Sequence, residues 1–322
     1  DGIGQSMTGI TCTDFTNTGT FTAEISDADT ACAVDASGEF VNAAGASFTA
    51  TLSEIKYGTG LACHTFENAG TMDIDIDGKD GAVGIASNGN AGNWKNNGTV
   101  TIDVGGDGAP AGSLVIGELS RLAGVYWNSE NAYSFTNSGT LNVTAAKATA
   151  STQSKTQWPV WQFFDTIAVS LMPGGNSTVT NTGNMTLAAH NGYTAGLYVA
   201  GADGHSIALN NSGTMNITVD TLGGDNIRTV GIYAQIPAIT TGEVGFLPFQ
   251  VTDGSVRIDA KAAEGASEVM DDACMAVCLV QSFDINSGTP ADTSGLQQIE
   301  LNDMSITDGG SVIVTGPYTV MD

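Results

Sequence analysis

Positive charge is what this chain has least of. Its 322 residues hold 9 Lys and Arg against 34 Asp and Glu, a formal net charge of −25. No basic stripe exists to neutralise phosphates, which excludes nucleic acid as a partner. An anionic membrane surface would repel the chain as well. Long apolar runs are also missing: none approaches the ~18 residues of a membrane-crossing helix, so direct insertion of this segment is not expected. No segment of helical length repeats apolar residues at i, i+3, i+4 and i+7, which argues against helical repeat arrays. Histidine is nearly absent. His64, His190 and His205 lie far apart, with no His-x-x-His or His-Glu-x-x-His spacing, so no zinc site is expected. Neither a Gly-x-Ser-x-Gly elbow nor a phosphate-binding loop occurs, and no cofactor is expected. No signal peptide is present, so residue 1 reads as a processed start.

What the chain does have is a repeated phrase: an apolar residue, then x-Asn-x-Gly, then a β-prone run. It reads Phe15-x-Asn17-x-Gly19, Phe66-x-Asn68-x-Gly70, Trp94-x-Asn96-x-Gly98 and Phe135-x-Asn137-x-Gly139. It returns as Val179-x-Asn181-x-Gly183 and Leu209-x-Asn211-x-Gly213, with degraded copies at Phe40-x-Asn42, Val251-x-Asp253 and Ile306-x-Asp308. A small residue followed by an aliphatic precedes each copy, from Gly9-Ile10 and Ala33-Val34 to Gly231-Ile232 and Ala276-Val277. Nine units result. Self-similarity of this kind is the signature of stacked repeats, with length changes absorbed in loops.

The runs after Gly alternate, as in Val100-Thr-Ile102-Asp-Val104 and Met215-Asn-Ile217-Thr-Val219. Period two with Val, Ile and Thr predicts strand. A propeller would want about four strands in ~40–50 residues, whereas the shortest units here have 25 to 28 residues and two or three strand-like runs. The predicted fold is therefore all-β: a right-handed single-stranded parallel β-helix, a solenoid of about nine degenerate coils with inserted loops. Residues 1–322 form one domain. Asn17, Asn68, Asn96, Asn137, Asn181 and Asn211 are assigned to one structural turn column. Their use with Gly at the corners is ascribed to tolerance of positive φ and to hydrogen bonding between stacked Asn side chains.

Five cysteines, Cys12, Cys32, Cys63, Cys274 and Cys278, leave at least one unpaired within the chain. Cys12 and Cys63 share a register with one unit between them, about 10 Å apart and too far for a disulfide. Cys12, Cys32 and Cys63 are expected as buried thiols. Cys274 and Cys278 can bond only if their segment is not extended. Asp73-x-Asp75-x-Asp77-Gly78 resembles the start of a Ca²⁺ loop, but position 12 is Gly84 instead of Glu. Ile74 and Ile76 alternate with the aspartates, so the string reads as a strand with an acidic outer face, and no metal is assigned.

Phrases such as Phe135-Thr-Asn137-Ser-Gly139-Thr140-Leu141 and Leu209-Asn-Asn211-Ser-Gly213-Thr214-Met215, preceded by Gly-aliphatic-Tyr, resemble passenger domains of bacterial autotransporters. The resemblance covers nearly the whole chain. It implies a right-handed β-helix secreted by a Gram-negative bacterium or displayed at its outer membrane. It carries over no catalytic residue, because the family's repeat residues are structural. The five cysteines and the lack of a barrel segment are departures from the family.

Function is expected in the insertions near 105–123, 145–166 and 234–250, since loops on a rigid scaffold carry recognition. The middle one gathers Lys155, Gln157, Trp158, Trp161, Phe163 and Phe164 in an aromatic-poor chain. Such aromatics beside Gln and Lys can stack on sugars or anchor a protein; they can equally fold back against the flank of the stack. The expected function is a cell-surface adhesin that contacts a host protein or glycan, or another copy of itself, with no enzyme activity. The alternative is a polysaccharide-degrading lyase or glycoside hydrolase, with two carboxylates on neighbouring units ~5–9.5 Å apart. A lyase for an acidic sugar would want a cationic groove, and the few basic residues here are scattered.

Overall fold

The computed structural model describes residues 5–106, 122–148, 164, 166–192, 194–201, 205, 207–220, 229–236, 249–261, 274–281, 304–307 and 311–315. Among these residues every regular element is a strand, and every pairing is parallel. The strands fall into nine units of three, which we call a, b and c. Unit 1 is Ser6–Cys12, Phe15–Asn17 and Thr20–Ser26. Unit 5 is Leu122–Ser129, Ser134–Asn137 and Thr140–Lys147. Unit 7 is Thr194–Ala200, Ile207–Asn211 and Thr214–Asp220. Each strand pairs with its equivalent one unit earlier and one unit later. The b strands form a nine-stranded sheet of their own. The a and c strands join into one 16-stranded sheet. The join arises because Ser47–Cys63 and Thr71–Ser87 run unbroken from the c position of one unit into the a position of the next.

Alternation in the sequence sets which side chains point inward. In Thr71–Ser87, Met72, Ile74 and Ile76 are buried while Asp73, Asp75 and Asp77 are exposed, the two faces of one pleated strand. Register then stacks equivalent residues. In stack c, Phe48, Met72, Val100, Leu141, Met185, Met215 and Val256 fall in one column. In stack a, the aliphatics Ile10, Val34, Leu61, Ile85, Val125, Val169, Leu197 and Ile232 fall in another. Stack b carries an aromatic column: Phe15, Phe40, Phe66, Trp94 and Phe135, with centroid steps of 5.5, 5.7, 3.9 and 5.0 Å. All three columns face a single core. Burying one such Val, Leu, Ile or Phe stabilises by ~1.5–3 kcal/mol, so each unit contributes through the contacts it makes with its neighbours.

The small residue ahead of each aliphatic also has a packing reason. A Cβ on Gly84 would collide with Ile102 Cγ2, one on Gly124 with Val143 Cγ1, and one on Gly196 with Ile217 Cγ2. The a strand thus lies directly on the branched side chains of stack c.

Three details differ from the sequence reading. The turn residues do not use the left-handed region: among described residues, positive φ outside glycine occurs only at Asp27, Glu54, Asn191 and Asp253, and none of the turn-column Asn or Gly residues has it. The glycines are required by close approach, because a Cβ on Gly98, Gly139, Gly183 or Gly213 would strike the carbonyl oxygen of the preceding turn glycine. Second, in units 8 and 9 the ladder position lies two residues ahead of the Asp of the degraded phrase. Val251, not Asp253, pairs with Asn211, and Ile306, not Asp308, pairs with Val251. Asp253 is an extra residue in the unit 8 turn, with φ 54°, and Gly254 takes the place beside Gly213. Third, strands extend into all three proposed insertions: Thr99–Gly106 and Leu122–Ser129 bound the first, Thr140–Lys147 and Thr166–Pro173 the second, and Thr229–Ile236 and Phe249–Thr252 the third.

Candidate functional site

The turn column is a continuous polar ladder among the described residues. Asn17 Nδ2 donates to Asn42 Oδ1 at 2.9 Å, and Asn42 to Asn68, Asn68 to Asn96, and Asn96 to Asn137 at 2.8 Å each. Asn137 donates to Asn181 at 2.8 Å, and Asn181 to Asn211 at 2.7 Å. Each amide also donates to a backbone carbonyl of the following unit, as from Asn96 to Thr140 O at 3.0 Å. All seven are buried, so every donor and acceptor needs such a partner. Asn42 belongs to the ladder in full, although its phrase lacks the Gly at the usual place. Chemically the ladder is neutral and internally satisfied, a fastening between units and not a surface for a ligand.

Of the aromatic and polar residues chosen for the 145–166 insertion, Lys155, Gln157, Trp158, Trp161 and Phe163 lie outside the described residues. Phe164 is described and is not a surface residue. It is 5% exposed and meets Tyr198 and Tyr233 edge-on, at 5.9 and 5.1 Å, while those two tyrosines stack at 5.2 Å. Ile167, Ala195 and Val230 complete this second apolar cluster on the outer side of stack a. A smaller one, Val83, Ala86 and Ala123 with Tyr126, lies further toward the N-terminal units. These clusters were not legible in advance, because the residues that build them are spread over separate units and follow no motif.

Four arrangements of reactive groups remain. Asp75 and Asp103 are register neighbours on the exposed face of stack c. Partial burial, then Asp103, Asp73 and Asp77 around it, raise the Asp75 carboxyl above the ordinary carboxylate range. Among the described residues no group of three or more His, Cys, Asp or Glu is arranged to hold a metal ion. His190 Nδ1 and Asp220 Oδ2 are 2.9 Å apart on neighbouring c strands, and that hydrogen bond raises the His190 pKa.

The thiols form the third group. Cys63 is fully buried, but Cys12 and Cys32 are only half-buried, in contrast to the expectation of three buried thiols. Burial and then Asp35 push the Cys32 thiol up to about 12, and burial holds the Cys63 thiol well above its usual value. None is an activated nucleophile. Cys274 and Cys278 sit in one extended strand, Cys274–Gln281. Four residues of strand span ~13 Å, which is too far for a mutual disulfide.

The fourth is an open hollow of about 380 Å³ beside the b strands of units 5 and 6. Its lining groups are already engaged. Asn93 Oδ1 accepts from Ser134 N and Oγ at 2.9 and 3.0 Å. Ser177 Oγ accepts from Tyr133 N at 3.0 Å and donates to Gly175 O at 2.9 Å.

Four of the described lysines are paired with carboxylates. Lys95 meets Glu67 at 2.9 Å, Lys79 meets Glu54 at 3.3 Å, Lys56 meets Asp80 at 3.5 Å and Lys261 meets Asp259 at 3.0 Å. Three of these four pairs link neighbouring units, so these lysines tie strands together and do not gather into a basic groove. No helix among the described residues is long and apolar enough to cross a membrane. No family model matches the chain, and no curated protein or solved structure matches it at a significant level.

Proposed function

We propose that the three stacks wind as a right-handed single-stranded parallel β-helix of about nine coils, and that this rod is an extracellular adhesin of the autotransporter-passenger kind. It would be secreted by, or displayed on, a Gram-negative bacterium, and its ligand would be a host-surface protein or glycan, or a neighbouring copy of the rod. The observation that carries the reading is the parallel register itself. Each strand pairs with equivalents one unit away, and the nine-stranded path runs unit by unit from Phe15–Asn17 to Met304–Thr307. Such unit-by-unit pairing supports a one-dimensional stack over a barrel. Right-handedness follows from the strong bias of parallel crossover connections. A net charge of −25 keeps such a rod soluble and favours contacts through neutral or aromatic patches.

Small-angle scattering tests the shape: nine coils at ~4.8 Å make a rod ~43 Å long along the stacking axis, and a spherical particle would refute the helix. Binding to cells, matrix protein, glycan arrays or itself tests the function. The protein should release no product from acidic or neutral polysaccharide, with or without Ca²⁺. Trp158→Ala with Trp161→Ala should weaken binding by more than ten-fold, since aromatic anchors contribute ~2 kcal/mol or more each.

The enzyme reading has one observation in its favour, the Asp75 and Asp103 pair with its raised Asp75 carboxyl. Both residues stand on an exposed strand face. Polysaccharide turnover that disappears in Asp75→Asn would replace the adhesin reading with a glycoside hydrolase.

A further inference from the structure

The outward face of the b strands changes character along the stack. In units 2 to 4 it carries charge: Glu39 stands opposite Thr65, Val41 opposite Glu67, and Glu67 opposite Lys95. From unit 5 the charges stop. Ser134, Thr178 and Ala208 form one outward column, and Thr136, Thr180 and Asn210 form the next. All six are at least partly exposed, and none is ionisable in a chain whose net charge is −25. The neighbouring cation, Lys95, is in register with Thr136 but is paired with Glu67 at 2.9 Å.

The open hollow of about 380 Å³ lies along this neutral stretch. Its lining runs from Asn93 in unit 4 through Ser134 and Thr178 to Ala208 in unit 7. Three steps of ~4.8 Å make it ~14 Å long along the stacking axis. Its wall is built by the turns between a and b strands, and hydrogen bonds hold it in place. The Tyr133 hydroxyl donates to Trp127 O at 2.9 Å. Ser177, 6% exposed, accepts from Tyr133 N and donates to Gly175 O. A Cβ on Gly174 would strike the Glu130 backbone and one on Gly175 the Ala132 backbone, so the turns of units 5 and 6 touch. A wall fixed in this way loses little freedom on binding. Polar capacity remains. Ser134 Oγ donates to Asn93 Oδ1 at 3.0 Å and can still accept, while the exposed Thr178 and Asn93 carry a hydroxyl and amide N–H donors.

We propose that this hollow is the binding site for an uncharged glycan, an oligosaccharide chain lying along the stacking axis. Sugar hydroxyls both donate and accept, which matches a lining of Ser, Thr and Asn. The C–H faces of the sugar rings pack on Ala132, Tyr133 and Ala208. Other occupants match less well. An anionic sugar meets no cation in the lining and the repulsion of the whole chain, and a cation meets no carboxylate there. A peptide strand has no edge to join, because Ser134–Asn137 and Ser177–Asn181 are paired on both sides. A protein wants large apolar anchors, and among the described residues only Met7, at 37%, is an exposed large apolar side chain. The inference rests on the binding function proposed above and names its ligand class, at a site built from residues other than Trp158 and Trp161.

The test uses the full chain and four neutral hexasaccharides, of β-linked glucose, α-linked glucose, β-linked mannose and β-linked N-acetylglucosamine, with hexagalacturonate as the anionic comparison. Titration calorimetry should show saturable one-to-one binding of at least one neutral chain, unchanged in 1 M NaCl because no charge pair is involved. Thr178→Glu and Ala132→Glu each place a carboxylate at an exposed position of the hollow. Each should weaken binding at least ten-fold with circular dichroism unchanged. Thr22→Glu, at an exposed position in unit 1, should bind as the parent does. Three results overturn the proposal: no saturable binding of any neutral hexasaccharide, equal binding by Thr178→Glu, or tighter binding of hexagalacturonate than of every neutral chain. Sugar binding lost in Trp158→Ala with Trp161→Ala but kept in Thr178→Glu overturns it too, by placing the sugar at the insertion. Binding to cells without binding of any hexasaccharide discards the glycan site and keeps the adhesin reading. Sugar binding at the hollow without binding to any cell or matrix keeps the site and discards that reading.

Discussion

Asn96 Nδ2 donates to Asn137 Oδ1 across 2.8 Å although 41 residues separate them in the chain. Between them lie a whole a strand and a segment of variable length, yet the two amides meet as if they were consecutive. The ladder therefore measures register, and a unit that slipped by one residue would leave buried amides unpaired. Asn137→Leu removes the acceptor for Asn96 and the donor to both Asn181 and Asn184 O. The expected cost is about 1–3 kcal/mol for each buried group left without a partner, read as a lower urea midpoint. Asn17→Leu should cost less, because among the described residues fewer partners depend on it. Equal effects at the two positions would show that the ladder does not act as a chain.

Gly139→Ala should be among the most damaging conservative changes in the protein. Its φ is not in the left-handed region, so the damage would come from contact alone: the new Cβ meets the Gly98 carbonyl oxygen and, at 2.7 Å, the Asn97 carbonyl carbon. Backbone cannot yield without spreading two units, which breaks the Thr140 N to Gly98 O hydrogen bond of 2.8 Å. By contrast Gly19→Ala meets nothing within 4 Å and should leave the melting temperature within about a degree, a surface change of less than ~0.5 kcal/mol. Thermal melts of the two variants side by side check this.

Trp94 sits at the centre of the aromatic column, stacked on Phe66 at 3.9 Å and Phe135 at 5.0 Å, with Trp127 edge-on at 5.2 Å. Its indole N–H is buried without a hydrogen-bond partner, whereas Trp127 Nε1 donates to Gly92 O at 2.9 Å. Trp94→Phe removes an unsatisfied donor and keeps the stack, so its cost should be under ~1.5 kcal/mol. Trp94→Ala should cost about 3–5 kcal/mol through the cavity it leaves. Trp127→Phe should be the more harmful of the two Phe substitutions, since it orphans the Gly92 carbonyl. Denaturant midpoints for the three variants decide it.

The number of units and the identity of the inward residues could be read from the chain because repeats present each decision many times over. Nine small-aliphatic pairs and six clear Asn-x-Gly phrases leave little freedom in register. Where the phrase decays the register is harder to read: Val251-Thr-Asp253-Gly254 resembles a copy, but Val251 stands opposite Asn211 and Asp253 adds one residue to the turn. Sequence alone also misjudged why glycine is needed. Positive φ is a property of one residue and can be guessed from composition, while the approach of Gly139 to Gly98 is a property of two units and exists only in the stack. The buried place of Phe164 had the same origin, since Tyr198 and Tyr233 lie one and two units away.

His190 and Asp220 give the molecule a pH-dependent link between units 6 and 7. The imidazole Nδ1 lies 2.9 Å from Asp220 Oδ2, and their strands pair directly at these residues. That hydrogen bond, opposed by partial burial and reinforced by the charges of Asp220 and Asp103, raises the His190 pKa above its ordinary 6.5. The folded state then holds the proton more tightly than the unfolded chain. The resulting stabilisation is fully present below pH ~6.5 and is lost as pH rises through the folded pKa. Both side chains are about a third exposed, at 28% and 36%, so screening keeps the effect under ~1 kcal/mol. Urea midpoints of the parent protein and His190→Gln should therefore differ at pH 5.5–6.0 and converge toward pH 9. In 1 M NaCl, where the screening length falls to ~3 Å, the difference at low pH should shrink. A gap that stays constant from pH 5.5 to 9 would mean that the neutral imidazole makes the same link, with no role for its charge.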